Sequence, residues 1–151
     1  MKITCTFLFL LLISWTSTYA QADSTSTNES STQENAIDFV KVDVKPVFPG
    51  CENESKKNQA SCFSQKVAEH VAQNFRMSPK TKKKGLHGRV YIQFTVDTSG
   101  NIVDVHVIKG VHELLDKDAL EAVKSLPKIT PGSQEGRKVP VSFVVPINIK
   151  G

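Results

Sequence analysis

At 151 residues the chain has room for one ordinary domain. A hydrophobic content of 39% with 23% charged residues excludes a polytopic membrane protein and a wholly disordered chain. The net charge of +4 is unevenly spread: segment 21–44 carries one Lys against five acids, whereas 45–151 carries 17 Lys and Arg against ten acids, so the basic character belongs to the folded part.

Lys2 and the amino terminus precede an unbroken apolar run from Phe7 to Ile13, and Thr18-Tyr19-Ala20 follows. This is the pattern of a secretory signal peptide cleaved after Ala20. The alternative is an uncleaved membrane anchor over residues 3–20. Thr4, Thr6, Ser14, Thr16 and Ser17 dilute that stretch below the about 20 predominantly apolar residues a spanning helix wants. Cleavage leaves Cys51 and Cys62, and an even pair in an exported protein reads as a disulfide. Metal binding is the competing reading, but two cysteines with no nearby His pair make a poor site. Residues 21–36 are almost all Ser, Thr, Asn, Gln and acids and read as a flexible linker. The domain is expected over 37–151.

Ile37 to Phe48 mixes β-branched residues with charges and ends at the Pro49-Gly50 turn signal, as an extended lead-in or short edge strand. Asn53 to Gln59 reads as a polar loop. From Cys62, the residues Phe63, Val67, Val71 and Phe75, with Ala68 and Ala72 beside them, form one helical face, with Ser61 as N-cap. Pro79 to Gly85 reads as a lysine-rich loop. Val90, Ile92, Phe94 and Val96 then alternate with polar residues, Asp97 to Asn101 is turn-rich, and Val103, Val105 and Val107 alternate again. This is a hairpin. Leu115, Ala119, Ala122, Val123 and Leu126 share a second helical face, capped by Asp116 and stopped by Pro127. The last strand is expected from about Lys138 to Ile149, with apolar residues at every odd position from Val139.

A hairpin makes the first two strands antiparallel, a right-handed β-helix-β crossover makes the second and last parallel, and both hold in one sheet when the first strand is central. The expected fold is therefore α+β: a three-stranded mixed sheet in the order second–first–third (2-1-3), two helices on one face, and the last strand at an edge.

The sequence carries no catalytic, cofactor or metal signature: no HExxH, CxxC, GxSxG or glycine-rich phosphate loop. Its four histidines are dispersed. Asp97 opens a turn, where an Asp bonds its own backbone, and Asp116 and Asp118 lie where a helix start explains them. Lys80, Lys82, Lys83, Lys84 and Arg89 form a basic cluster. It reads as a solvated loop or as a patch for an anionic envelope surface such as lipid or wall polymer. Export and a total of three arginines speak against nucleic acid.

The stretches GRVYIQFTVDTSGNIVDVHVIKG, LLDKDALEAVKSLP and PGSQEGRKVPVSFVVPINI, over residues 88–149, resemble the TonB carboxy-terminal domain family. Gly88, Phe94, Asp97, Gly100, Leu115, Asp116, Pro127, Pro131, Gly132, Pro146 and Ile147 stand in register with its pattern. The resemblance implies a periplasmic, non-enzymatic protein that binds the amino-terminal box peptide of outer-membrane TonB-dependent receptors in nutrient uptake. It implies inner-membrane motor partners as well if residues 3–20 stay uncleaved. Residues 21–45 contain no Pro, whereas a transducer of this kind has a long proline-rich spacer. A structural envelope protein that keeps the fold and binds wall or lipid is the alternative.

Pro140 and Pro146 lack an N–H and share even parity, so the odd residues of the last strand must pair with the central strand and the even ones face out. The prolines can simply blunt an exposed edge. The window between them, Val141, Ser142, Phe143, Val144 and Val145, is also the expected place for a partner peptide to add as a strand, through the outward groups of Ser142 and Val144.

Overall fold

A computed structural model describes residues 36–150. The expected signal peptide (1–20) and all of the expected linker (21–36) but its last residue lie outside the described residues. The alternation at Val90–Val96 becomes strand β2 (Gly88–Val96), with all four apolar side chains fully buried. It is central, flanked by β3 (Ile102–Lys109) and β6 (Val141–Ile149), both antiparallel to it. The expected order second–first–third is therefore present. β6 keeps an unbroken register with β2, from Gly88↔Ile149 to Val96↔Val141.

The sheet has a fourth strand. The lead-in forms β1 (Ile37–Asp38), which pairs parallel to β6 outside it, Ile37 opposite Val141 and Asp38 opposite Ser142. The last strand is thus an edge over only part of its length. Beyond β1 the chain is tied down twice more, by bridges of Val44 to Ser133 and Val47 to Thr130. A small hairpin of β4 (Ser133–Gln134) and β5 (Arg137–Lys138) ends at the residue where the sequence suggested the last strand begins, and β6 itself starts at Val141.

Helices α1 (Lys56–Asn74) and α3 (Glu113–Lys124) bury Phe63, Val67 and Val71, and Leu115, Ala119, Ala122 and Val123, in one core with the inner face of the sheet. His70 of α1 reaches Ser125 at the end of α3, Nε2 lying 3.0 Å from its carbonyl oxygen. Helix α1 begins two turns earlier than its apolar face suggests, because Lys56 to Gln59 are compatible with helix and Ser55 occupies the N-cap position. In α3 the cap is His112, whose Nδ1 accepts from Leu114 N–H, not Asp116. Asp116 instead accepts from Val111 N–H.

The β3 alternation is also corrected. Asp104 sits at φ +51°, and the register with β2 slips there and again near Ile108. A bulge reverses which face the following residues use. Ile102, Val105 and Val107 pack against the core, while Val103 lies opposite Thr95 on the other face. The hairpin turn holds as expected: Asp97 accepts from the N–H groups of Ser99 and Asn101, both at 2.8 Å. Gly100, at φ +87°, lies against the Ile129 carbonyl, where a side chain could not fit.

Candidate functional site: the outer edge of the last strand

The carbonyls of Pro140 and Ser142 accept from the N–H groups of Ile37 and Phe39, at 2.9 and 3.0 Å. Even residues of β6 therefore present their backbone away from β2, as the proline parity requires. After Phe39 the chain leaves the edge in a tight turn, with Lys41 and Val42 N–H both donating to the Asp38 carbonyl. From Val144 onward β1 no longer covers the strand.

This changes the expected window. The outward backbone of Ser142 is occupied by the chain's own β1, and the backbone groups of Val141 face β2. Val141 and Val145 are buried in the core, and the Phe143 ring lies against Phe39, Phe63 and Phe94, with centroids 5.0 to 5.7 Å away. Of the five residues, Val144 alone is exposed, at 42%. The uncovered edge is shifted toward the C-terminal end, from Val144 to Ile149, interrupted at Pro146, which has no N–H.

A groove of about 360 Å³ runs beside that uncovered half. One wall is residues 145–150 and the other is the flank of α1 at Ala68, Ala72 and Phe75. Helix α1 turns its larger side chains into the core. Ala68 and Ala72, one helical turn apart, are exposed and too small to fill the space next to the strand. A strand added to β6 would lie about 4.8 Å outside it, and its alternate side chains would project into this groove. The alanines stand in the sequence as part of an apolar helical face; only the distance between α1 and β6 makes them a wall.

The opposite edge of the sheet is unlike this one. Strand β3 has two register slips and carries Asp104, His106 and Lys109, features that disfavour pairing with another strand.

Cys51 and Cys62 are joined as a disulfide with Cα atoms 6.0 Å apart. Because α1 starts at Lys56, the bond ties the Pro49-Gly50 turn into the helix body rather than to its first residue. The basic residues do not sit in a loop. Lys80, Lys82 and Lys83 belong to a short helix, α2 (Pro79–Lys83), followed by Lys84. Arg89 lies apart from them on β2, bonded to the Asn148 side chain. Among the described residues no three His, Cys, Asp or Glu side chains gather as a metal site. No helix there is long and apolar enough to cross a membrane.

The family model for the Gram-negative bacterial TonB protein C-terminal matches residues 73–150, just over half of the chain. The chain belongs to the TonB C-terminal family. It is 26% identical over 124 residues to "Protein TonB" of two Helicobacter pylori strains. The match covers 80% of this chain and 38% of those proteins, so the chain spans well under half the length of these curated relatives. Solution structures of the H. pylori TonB C-terminal domain are similar at 22% identity over 66% of this chain and 88% of that one (TM-score 0.45), and at 23% over 59% and 96% (TM-score 0.42). The Pseudomonas aeruginosa TonB C-terminal domain is similar at 24% over 50% and 84% (TM-score 0.35). Within this TonB-type domain the family match takes in the last two residues of α1, the whole of β2 and β6, and so the strand wall of the groove and Phe75, while Ala68 and Ala72 precede it.

Proposed function

We propose that this chain is a non-catalytic binding module of the periplasm, which captures an extended peptide of an outer-membrane TonB-dependent receptor by adding it as a strand to β6. The single observation that carries this reading is the coincidence of free backbone and groove. From Val144 to Ile149 the even residues of the strand turn their backbone groups outward, and the same stretch is flanked by the space beside Ala68, Ala72 and Phe75. Main-chain pairing would give affinity, and the groove would select alternate side chains. The open stretch is short and Pro146 offers only a carbonyl, so capture is weak and its register narrow. Weak capture suits a partner that must be released after each uptake event.

The test is a titration of the folded domain with a peptide from the amino-terminal box of a receptor, followed by amide shifts. Shifts that concentrate at Val144, Val145, Ile147 and Asn148 and on Ala68 and Ala72 support the reading. Shifts confined to β3, or none at millimolar peptide, defeat it.

A further inference from the structure

Between Glu69 and Asp97 the chain has no acidic residue and six Lys or Arg. Four of these, Lys80, Lys82, Lys83 and Lys84, stand on α2 and at its C-cap, a platform tied to α3. Thr81 is fully buried, and its hydroxyl donates to Asp118 of α3 at 2.7 Å. The same carboxylate oxygen accepts from Ser78 N–H at 2.9 Å. Anchored by this buried face, α2 exposes all four lysines. The carboxylate that reaches α2 is thus spent on an amide and a hydroxyl. The ion pairs among the described residues, Lys66 with Glu69 and Lys124 with Glu121, involve none of the four.

Next to this platform two donors face each other. His112 accepts the Leu114 N–H on Nδ1, so in the neutral ring the proton sits on Nε2. That nitrogen lies 3.4 Å from Lys84 Nζ. Neither can accept from the other, and an anionic oxygen between them would satisfy both. Beside His112, Val111 is 47% exposed, its side chain packed over Gly88, where an added Cβ would stand 2.9 Å from a methyl. Three residues earlier Ile108 is 53% exposed, at the second register slip of β3, with Lys109 between them.

We infer that this face docks on an anionic phospholipid surface, with the lysines and His112 meeting headgroup phosphates and Val111 and Ile108 entering the boundary with the acyl chains. Exposed apolar side chains among ammonium groups are what distinguish a lipid surface from a purely ionic polymer, which offers nothing to an apolar side chain. Three acids adjoin the patch: Asp116 and Asp118 are held inward by their bonds to Val111 and to Ser78 and Thr81, while Glu113, exposed in the first turn of α3, opposes this docking most directly. The surface shares no residue with the lining of the β6 groove.

The experiment is sedimentation with vesicles of phosphatidylethanolamine, with and without phosphatidylglycerol. The protein is the chain from Gln21 onward, which keeps every core residue and removes the apolar run of residues 7–13. Binding is expected to phosphatidylglycerol vesicles only, and to fall as salt shortens the screening length toward about 8 Å. Lys→Gln at 80, 82, 83 and 84 should weaken it by about fivefold per lysine. Val111→Ser with Ile108→Ser should weaken it without changing its salt dependence, and Glu113→Gln should strengthen it. Val144→Pro should bind vesicles as the parent does. Thermal unfolding of each variant confirms that the fold is kept. No sedimentation with anionic vesicles at low salt, undiminished binding by the four-lysine variant, or binding to purified wall polymer with none to vesicles overturns the proposal.

Discussion

The Phe39 ring lies 4.8 Å from the Phe63 ring, tilted from it by 30°. Strand β1 has only two residues in its ladder, too few to hold an edge by hydrogen bonds alone. Phe39 follows it directly and inserts among Phe63 of α1 and Phe143 of β6. The aromatic contact therefore decides how much of the β6 edge stays covered.

Phe39→Ala should lower stability by about 3 kcal/mol, at the lower end for a buried Phe, and should also release β1. Urea unfolding measures the first effect. Amide exchange at Ser142, compared with that at core residues of β2, measures the second. Protection of Ser142 that falls only in step with global stability would mean that β1 is held by something else. If the proposed capture site is right, the variant should also bind receptor peptide more tightly, because the open edge then extends toward Ser142.

Val144→Pro should abolish peptide capture and leave the sheet intact. The Val144 N–H points away from β2, so no ladder bond within the domain is lost, and proline is tolerated on the outward side of an edge strand. Filling the groove is a separate way to the same result. Ala72→Trp puts a large ring where the added strand's side chains would go, and at an exposed position should alter stability by no more than about 0.5 kcal/mol. Calorimetric titration with receptor peptide checks both. Normal binding by either variant would move the site elsewhere.

Much of this arrangement is legible in the chain itself, and the parts that are not have physical reasons. Period-two alternation locates β2 because both its neighbours bury the same face. The two prolines of β6 assign its edges because a missing N–H cannot sit in a paired ladder. The outer partner of β6 is not legible, since the two-residue β1 has no periodicity and is stabilised by distant rings. The bulge at Asp104 defeats alternation because one inserted residue reverses the faces. The first turns of α1 begin with four polar residues, so no apolar stripe marks them. The His112 cap was hidden by a better-looking Asp116, although a neutral imidazole nitrogen accepts an N–H as a carboxylate does. The groove depends on how far α1 stands from β6, which only packing determines.

Reducing the Cys51–Cys62 bond should lower stability by about 3 kcal/mol, the chain-entropy value for a loop this short. The fold should survive, because Phe39, Val42 and Phe48 anchor the same segment in the core. Denaturant midpoints with and without reductant, beside those of a Cys51→Ala/Cys62→Ala variant, test this. Protein taken from cells should show no free thiol at these positions by mass after alkylation. A midpoint unmoved by reductant would make the bond decorative.

Asp97 makes the hairpin turn sensitive to acid. Burial acts to raise its pKa, but the Asn101 backbone and side chain and the N–H groups of Ser99 and Gly100 outweigh burial and hold the carboxyl below its ordinary 3.8. The folded value is thus lower than the unfolded one. The stabilisation is complete above the unfolded value and is lost as pH falls through the folded one. Asp97→Ala removes the acceptor of two backbone N–H groups and should cost about 2 kcal/mol at neutral pH. In acid well below 3.8 the parent has lost the charge that made those bonds strong, so the gap between parent and variant should shrink there. Urea midpoints of both proteins at the two pH values measure this. A gap that stays constant, or widens in acid, would mean that the turn is held by the shape of Gly100 and the Ile129 contact and not by the Asp97 charge.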